Sequence, residues 1–118
     1  MHAPTFWHSL MYAFRGIVHT VRSQRNARIH LSILTLVIIV GLWLRLSLQE
    51  WAIITIVSGL VLSLELLNSA LEHLADRVEP EFDHHIMRTK DAAAGAVLIA
   101  ALAAAIVGLL IFLPHLLP

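Results

Sequence analysis

The sequence has no cysteine, which excludes disulfide bonds, thiolate nucleophiles and cysteine-ligated zinc. It also has little charge. Asp, Glu, Lys and Arg make up 14% of the 118 residues and hydrophobic residues 58%, whereas an average soluble domain is about 25% charged. That leaves too little polar surface to coat a soluble sphere and points to lipid as the solvent. Basic and acidic residues number eight each, so no excess of positive charge argues for nucleic acid as a partner. The five glycines, at 16, 41, 59, 95 and 108, are too dispersed for a phosphate-cradling loop, and no G-x-x-x-x-G-K-[ST] occurs. Any nucleotide must therefore be held in another way. Of the eight histidines, His84 and His85 are adjacent, so on a helix they face different ways, and no H-E-x-x-H spacing accompanies them.

What is present is apolar and helical. The length suits one domain over 1–118. In the first segment Phe6, Trp7, Leu10, Met11, Phe14, Ile17, Val18 and Val21 recur at steps of three and four, with Arg15, His19, Arg22 and Ser23 largely between them. The pattern predicts an amphipathic helix over 5–24 lying in a membrane interface, not the unbroken apolar core of a signal peptide. Ala92–Leu113 carries no charge and exceeds the roughly 20 residues that cross a bilayer. Leu31–Leu44 is uncharged but short; Arg45 is expected to snorkel and extend the span to about Leu48. A third run opens at Trp51 and must continue past Glu65 to cross. The expected membrane helices are 29–48, 51–75 and 91–113, an all-α integral membrane fold with an N-terminal interfacial helix.

Seven of the eight Lys and Arg residues lie before the first span or in the Arg77–Lys90 loop, and one, Arg45, lies between the first two spans. This bias predicts a cytoplasmic N-terminus and second loop and an outside C-terminus. Ala92, Ala96, Ala100, Ala104 and Gly108 form a small-residue stripe at steps of four, which lets helix backbones approach closely in lipid.

Glu65, Asn68, Glu72 and Asp76 follow at i, i+3, i+7 and i+11, within a sector of about 80° on one helix face. The stripe starts within the expected span and runs out of it. Ionisable side chains at such depth are costly and mark functional sites facing a bundle interior or wet cavity. Two carboxylates two turns apart can divide the work: one holds a divalent cation with substrate phosphates, and the other accepts a proton from an attacking hydroxyl. Lys90 and Asp91 stand at the mouth of the last helix, where a lysine suits phosphate oxygens. A small transporter or proton relay also explains carboxylates in a span, and a non-catalytic scaffold would use the alanine stripe alone.

The runs Glu65-Leu-Leu-Asn-Ser-Ala-Leu-Glu72, Asp76 and Lys90-Asp-Ala-Ala-Ala-Gly-Ala-Val97 closely resemble the prokaryotic diacylglycerol kinase family, which includes undecaprenol kinases. Tyr12-Ala-Phe-Arg-Gly-Ile17 and Gln24-Arg-Asn-Ala-Arg-Ile-His30 are similar to its surface helix and first-span entry, and the resemblance covers about residues 11–112. It implies a bacterial inner-membrane homotrimer with active sites shared between neighbouring subunits. It also implies transfer of the ATP γ-phosphoryl group to a membrane lipid alcohol, undecaprenol or diacylglycerol, with the loop leaning toward the undecaprenol branch. By the same resemblance Glu65 is the general base and Glu72 binds Mg²⁺. Lys90, Asp91, Tyr12 and Glu81, Phe82 and Asp83 contact the nucleotide, and Asn68 and Asp76 support the site. Two positions depart from the family pattern. Gln24 stands where many members have a glutamate as second metal ligand, beside the nucleotide, and its neutral amide is a weaker ligand for a hard cation. Phe82-Asp83 stands where many have Tyr-His.

Overall fold

The computed structural model describes residues 5–118; residues 1–4 of the expected single domain lie outside the described residues. Four helices account for nearly all of it: α1 (Phe6–Ser23), α2 (Arg25–Leu44), α3 (Leu48–Val78) and α4 (His84–Leu116). No strand occurs among the described residues. The last three helices are long and apolar enough to cross a membrane, and α1 is the shorter N-terminal helix that the amphipathic pattern predicts.

Each helix start has a local cause. Thr5 Oγ1 accepts from His8 N at the head of α1. Ser47 and Glu50 form a reciprocal capping box at the head of α3, with Glu50 N donating to Ser47 Oγ at 3.1 Å and Ser47 N to Glu50 Oε1 at 2.9 Å. Asp83 Oδ1 accepts from His85 N and Ile86 N at the head of α4. Such caps satisfy amide groups that have no partner within the first turn. The α1–α2 corner is closed by Arg28, whose Nη1 donates to the Val21 and Arg22 carbonyls at the end of α1, and by burial of Thr20 and Ala27.

The bounds of the spans differ from the sequence reading. Arg45 does not extend the first span to Leu48. The helix stops at Leu44, and Arg45 takes the left-handed conformation (φ 57°, ψ 57°) that turns the chain. The reason is the short connection. The capping box begins α3 at Leu48, and Leu46 must turn inward to pack with Ile54 and Ile111. The residues lost here are recovered at the other end, where α2 already starts at Arg25, so its 20 residues still rise about 30 Å, one hydrocarbon thickness. The other two helices overrun the expected 51–75 and 91–113. They have 31 and 33 residues, about 46 and 50 Å, because caps begin them early and helix-forming Leu, Glu and Ala continue through the polar stripe.

Alignment at the hairpin end decides where this surplus falls. Leu46, Ile54 and Ile111 form the apolar corner there, with Val37, Leu44, Trp51, Val107 and Phe112 against them. Gly41 permits it: a Cβ at this position would lie 2.7 Å from Trp51 Cη2 and 3.0 Å from Leu46 Cδ1. His115 and Glu50 pair at 2.9 Å across the same end, tying the last turn of α4 to the first turn of α3. With this end held flush, α3 and α4 project beyond α2 at the opposite end, toward the 79–83 loop. Ala96, Ala104 and Gly108 are half-buried and Ala100 is buried, whereas Ala92 at the head of the stripe is exposed.

Little of this chain is buried by itself. Trp43, Ile56, Ile99 and Leu110, and Phe6 and Trp7 on α1, are each at least 70% exposed. Aliphatic and aromatic surface of this extent is stable only against lipid or other protein.

Candidate active site

The inward face of α3 is apolar near the hairpin, with Ile54 and Val61 buried, and polar beyond it, with Glu65 and Ser69 buried. Glu65 is 4% exposed. Opposite it stands His30 of α2, with Nε2 3.1 Å from Glu65 Oε1. The flush hairpin explains the meeting. His30 lies 14 residues before Leu44 and Glu65 lies 17 after Leu48, which places both about 21–26 Å from that end. Close as that nitrogen is, Oε1 is enclosed and makes no hydrogen bond.

One turn further out, Asn68 Nδ2 donates to Glu72 Oε1 at 3.4 Å. Asn68 Oδ1 is enclosed and has no partner. A further turn on, Lys90 of α4 is ion-paired with Asp76. The three pairs climb the stripe in order: His30 with Glu65, Asn68 with Glu72, and Asp76 with Lys90. The arrangement offers an enclosed proton acceptor, then oxygen donors, then a cation suited to phosphate.

The other residues singled out by the sequence are more open. Tyr12 is 53% exposed on α1 and stacks on His8. Gln24 is half-buried at the α1–α2 corner, with its side chain taking no part in the cap. Phe82 is 71% exposed and packs edge-on to His84. Glu81 and Asp91 are exposed. Asp83 is occupied by the α4 cap. Among the described residues no three His, Asp or Glu side chains converge on one point. A single carboxylate still suits Mg²⁺ at a nucleotide, because that ion takes one or two carboxylates and draws further oxygens from phosphate and water. Glu72 and the unpartnered Asn68 Oδ1 are donors of that type, so the residues present fit it.

Sequence reasoning missed the His30–Glu65 contact and also the His115–Glu50 pair. The signal for His30 was available as helix length: two antiparallel helices joined by a three-residue turn bring residues at equal distance from the turn to one level. A third histidine contact, His19 against His73 with ring centroids 5.8 Å apart, ties α1 to α3.

An apolar groove of about 290 Å³ runs between α2, α3 and α4. Val37, Val57, Val61, Ala104 and Phe112 are among its walls, Ser58 and His30 are the polar members, and His30 stands at its end toward Glu65.

Comparison with known proteins gives this geometry a family. The pattern of the prokaryotic diacylglycerol kinase family matches residues 11–112. The chain is 44% identical over 111 residues to an undecaprenol kinase of Bacillus subtilis, covering 94% of this chain and 90% of that protein. It is 42% identical over 116 residues to a diacylglycerol kinase of Synechocystis sp., covering 98% of this chain and 66% of that protein, so it spans about two thirds of the cyanobacterial relative. With the Glu65–Asp76 stripe, three helices apolar enough to cross a membrane and a match over nearly its whole length, the chain belongs to the prokaryotic diacylglycerol kinase family, small membrane lipid kinases.

Proposed function

We propose that this protein transfers the γ-phosphoryl group of ATP to the hydroxyl of a membrane lipid, undecaprenol or diacylglycerol, at the cytoplasmic end of α3. The observation that carries the reading is Glu65: a carboxylate 4% exposed, at membrane depth, with an enclosed oxygen that has no hydrogen bond. Burying an ionisable group this way is costly and serves no packing purpose. It stands next to the polar end of a groove otherwise lined almost wholly by aliphatic side chains, which suits the hydrocarbon of a lipid alcohol and not the path of an ion.

In this reading the lipid lies along the groove with its hydroxyl at Glu65, which takes the hydroxyl proton as oxygen attacks phosphorus. Glu72, with Asn68 Oδ1 and Gln24, would hold Mg²⁺, whose charge offsets that of the phosphates. Lys90 contacts phosphate oxygens and is kept at the mouth of α4 by Asp76. Tyr12, Glu81, Phe82 and Asp91 line the nucleotide side, with Asp83 acting there through the helix head it caps. Catalysis rests on positioning and charge neutralisation, as phosphoryl transfer asks of its catalyst. Neighbouring subunits of a homotrimer complete the site, consistent with the exposure of Tyr12 and Phe82 in the single chain.

The test is purified protein in vesicles with radiolabelled ATP, offered undecaprenol and diacylglycerol side by side. Mg²⁺-dependent lipid phosphate is expected, and the ratio of the two products assigns the substrate. Glu65→Gln, which keeps volume and removes the base, is expected to lower kcat by on the order of 10²–10⁴-fold. No lipid phosphate from either alcohol, or near-normal turnover by Glu65→Gln, would refute the reading.

A further inference from the structure

The enclosed oxygen of Glu65 has a polar neighbour close to it that belongs to a different helix. His30 Nε2 lies 3.1 Å from Oε1. The side chains are 22% and 5% exposed, respectively, and the histidine also lines the apolar groove. Of the two Glu65 oxygens, only Oε1 is both enclosed and without a hydrogen bond. A carboxylate whose enclosed oxygen makes no hydrogen bond can turn about its last torsion, which is broad, and a base that turns presents its acceptor oxygen only part of the time. Proton transfer requires that oxygen within hydrogen-bond reach of the hydroxyl.

We propose that His30 is a positioning residue for Glu65. Its Nε2–H donates to Oε1 and thereby aims the other oxygen, Oε2, at the lipid hydroxyl. The proposal rests on the assignment of Glu65 as the base and adds to it the group that orients that base. In the step itself the lipid O–H bond breaks and its proton passes to Glu65 Oε2. The lipid oxygen forms a bond to the γ-phosphorus, the bond from that phosphorus to the bridging oxygen breaks, and its electron pair stays on the β-phosphate of ADP. The Glu65 proton then leaves to water. His30 neither gains nor loses a proton in this sequence. A close contact that is not yet a hydrogen bond fits such a role, because catalytic hydrogen bonds often tighten only as the reactants bind.

The flush hairpin makes the positioning possible. His30 sits on α2 and Glu65 on α3, and their level is set by the turn at Arg45–Ser47, more than 20 Å away by helix rise. The orienting group is therefore fixed by the register of two helices and not by a flexible loop.

The experiment compares wild type, Glu65→Gln, His30→Ala, His30→Phe and His30→Gln in the same lipid vesicles, with kcat and KM for MgATP measured for each. A glutamine can donate N–H from a similar reach; a phenylalanine fills the volume and donates nothing. His30→Ala and His30→Phe are expected to lower kcat by about 10–100-fold, the scale of one lost hydrogen bond to a charged group, with KM for MgATP within about twofold. His30→Gln is expected to recover to within about threefold of wild type on the same scale. Wild-type turnover by His30→Phe, or no advantage of His30→Gln over His30→Phe, would overturn the positioning role while leaving Glu65 as the base. Near-normal turnover by Glu65→Gln would instead remove the base itself. A second readout needs no turnover: with ¹⁵N-labelled histidine in bilayers, Glu65→Leu should change the His30 ring-nitrogen signals, and unchanged signals would also overturn the proposal.

Discussion

Gly41→Ala tests the feature on which the whole arrangement depends, the close approach of α2 to the start of α3. An alanine Cβ there would fall 2.7 Å from Trp51 Cη2, about 0.7 Å short of the separation at which ordinary contact begins. Trp51 has no free end to swing aside, because its ring is half-buried against the Leu46–Ile54–Ile111 corner. The added methyl must therefore displace a helix or a packed ring, and overpacking of this kind costs about 1–3 kcal/mol. Alanine also favours the helix over glycine by up to about 1 kcal/mol, so the raw change understates the clash. Gly59→Ala supplies the correction, since a Cβ at Gly59 meets nothing within 4 Å. Reversible unfolding in mixed micelles titrated with a denaturing detergent reads both free energies. Gly41→Ala is expected to be less stable than Gly59→Ala by about 1–3 kcal/mol. Adding Trp51→Leu should recover part of that difference, because contacting residues are non-additive. Equal stability of the two alanine variants would refute the close-packed corner. It would also remove the reason for His30 and Glu65 standing at one level.

Reporter fusions should place the N-terminus and the 79–83 loop in the cytoplasm and Pro118 outside, as the distribution of Lys and Arg requires; a fusion at Pro118 active in the cytoplasm would reverse the topology. Glu72→Gln should raise the Mg²⁺ concentration for half-maximal rate steeply, and Gln24→Glu should lower it, because a carboxylate binds a hard cation more strongly than an amide. A Mg²⁺ titration indifferent to Gln24→Glu and to Gln24→Ala would take Gln24 out of the metal site. Crosslinking in nanodiscs should detect association of subunits; a strictly monomeric yet fully active protein would contradict the shared site.

By itself the sequence determined the class of the molecule. Its apolar runs are long enough to demand lipid, and its periodicity separates the amphipathic Phe6–Ser23 from the three longer helices. It also determined the order of the polar stripe, since Glu65, Asn68, Glu72 and Asp76 lie on one face of any α-helix whatever surrounds it. Asp83 and Ser47 were visible as residues but not as helix heads. Whether a cap forms depends on the backbone before it, which periodicity does not report. For the same reason the sequence carried the first span to about Leu48, four residues past its end at Leu44: apolar composition continues through Leu46 and Leu48, and only packing against Ile54 and Ile111 turns Leu46 inward. Tertiary structure alone decided which side chains meet across helices. His30 reaches Glu65 because Gly41 and Trp51 hold the α2–α3 hairpin flush, and Lys90 reaches Asp76 across the short 79–83 connection between α3 and α4. A helix states its own face, but its level against a neighbour is set by the turn and the packing that join them.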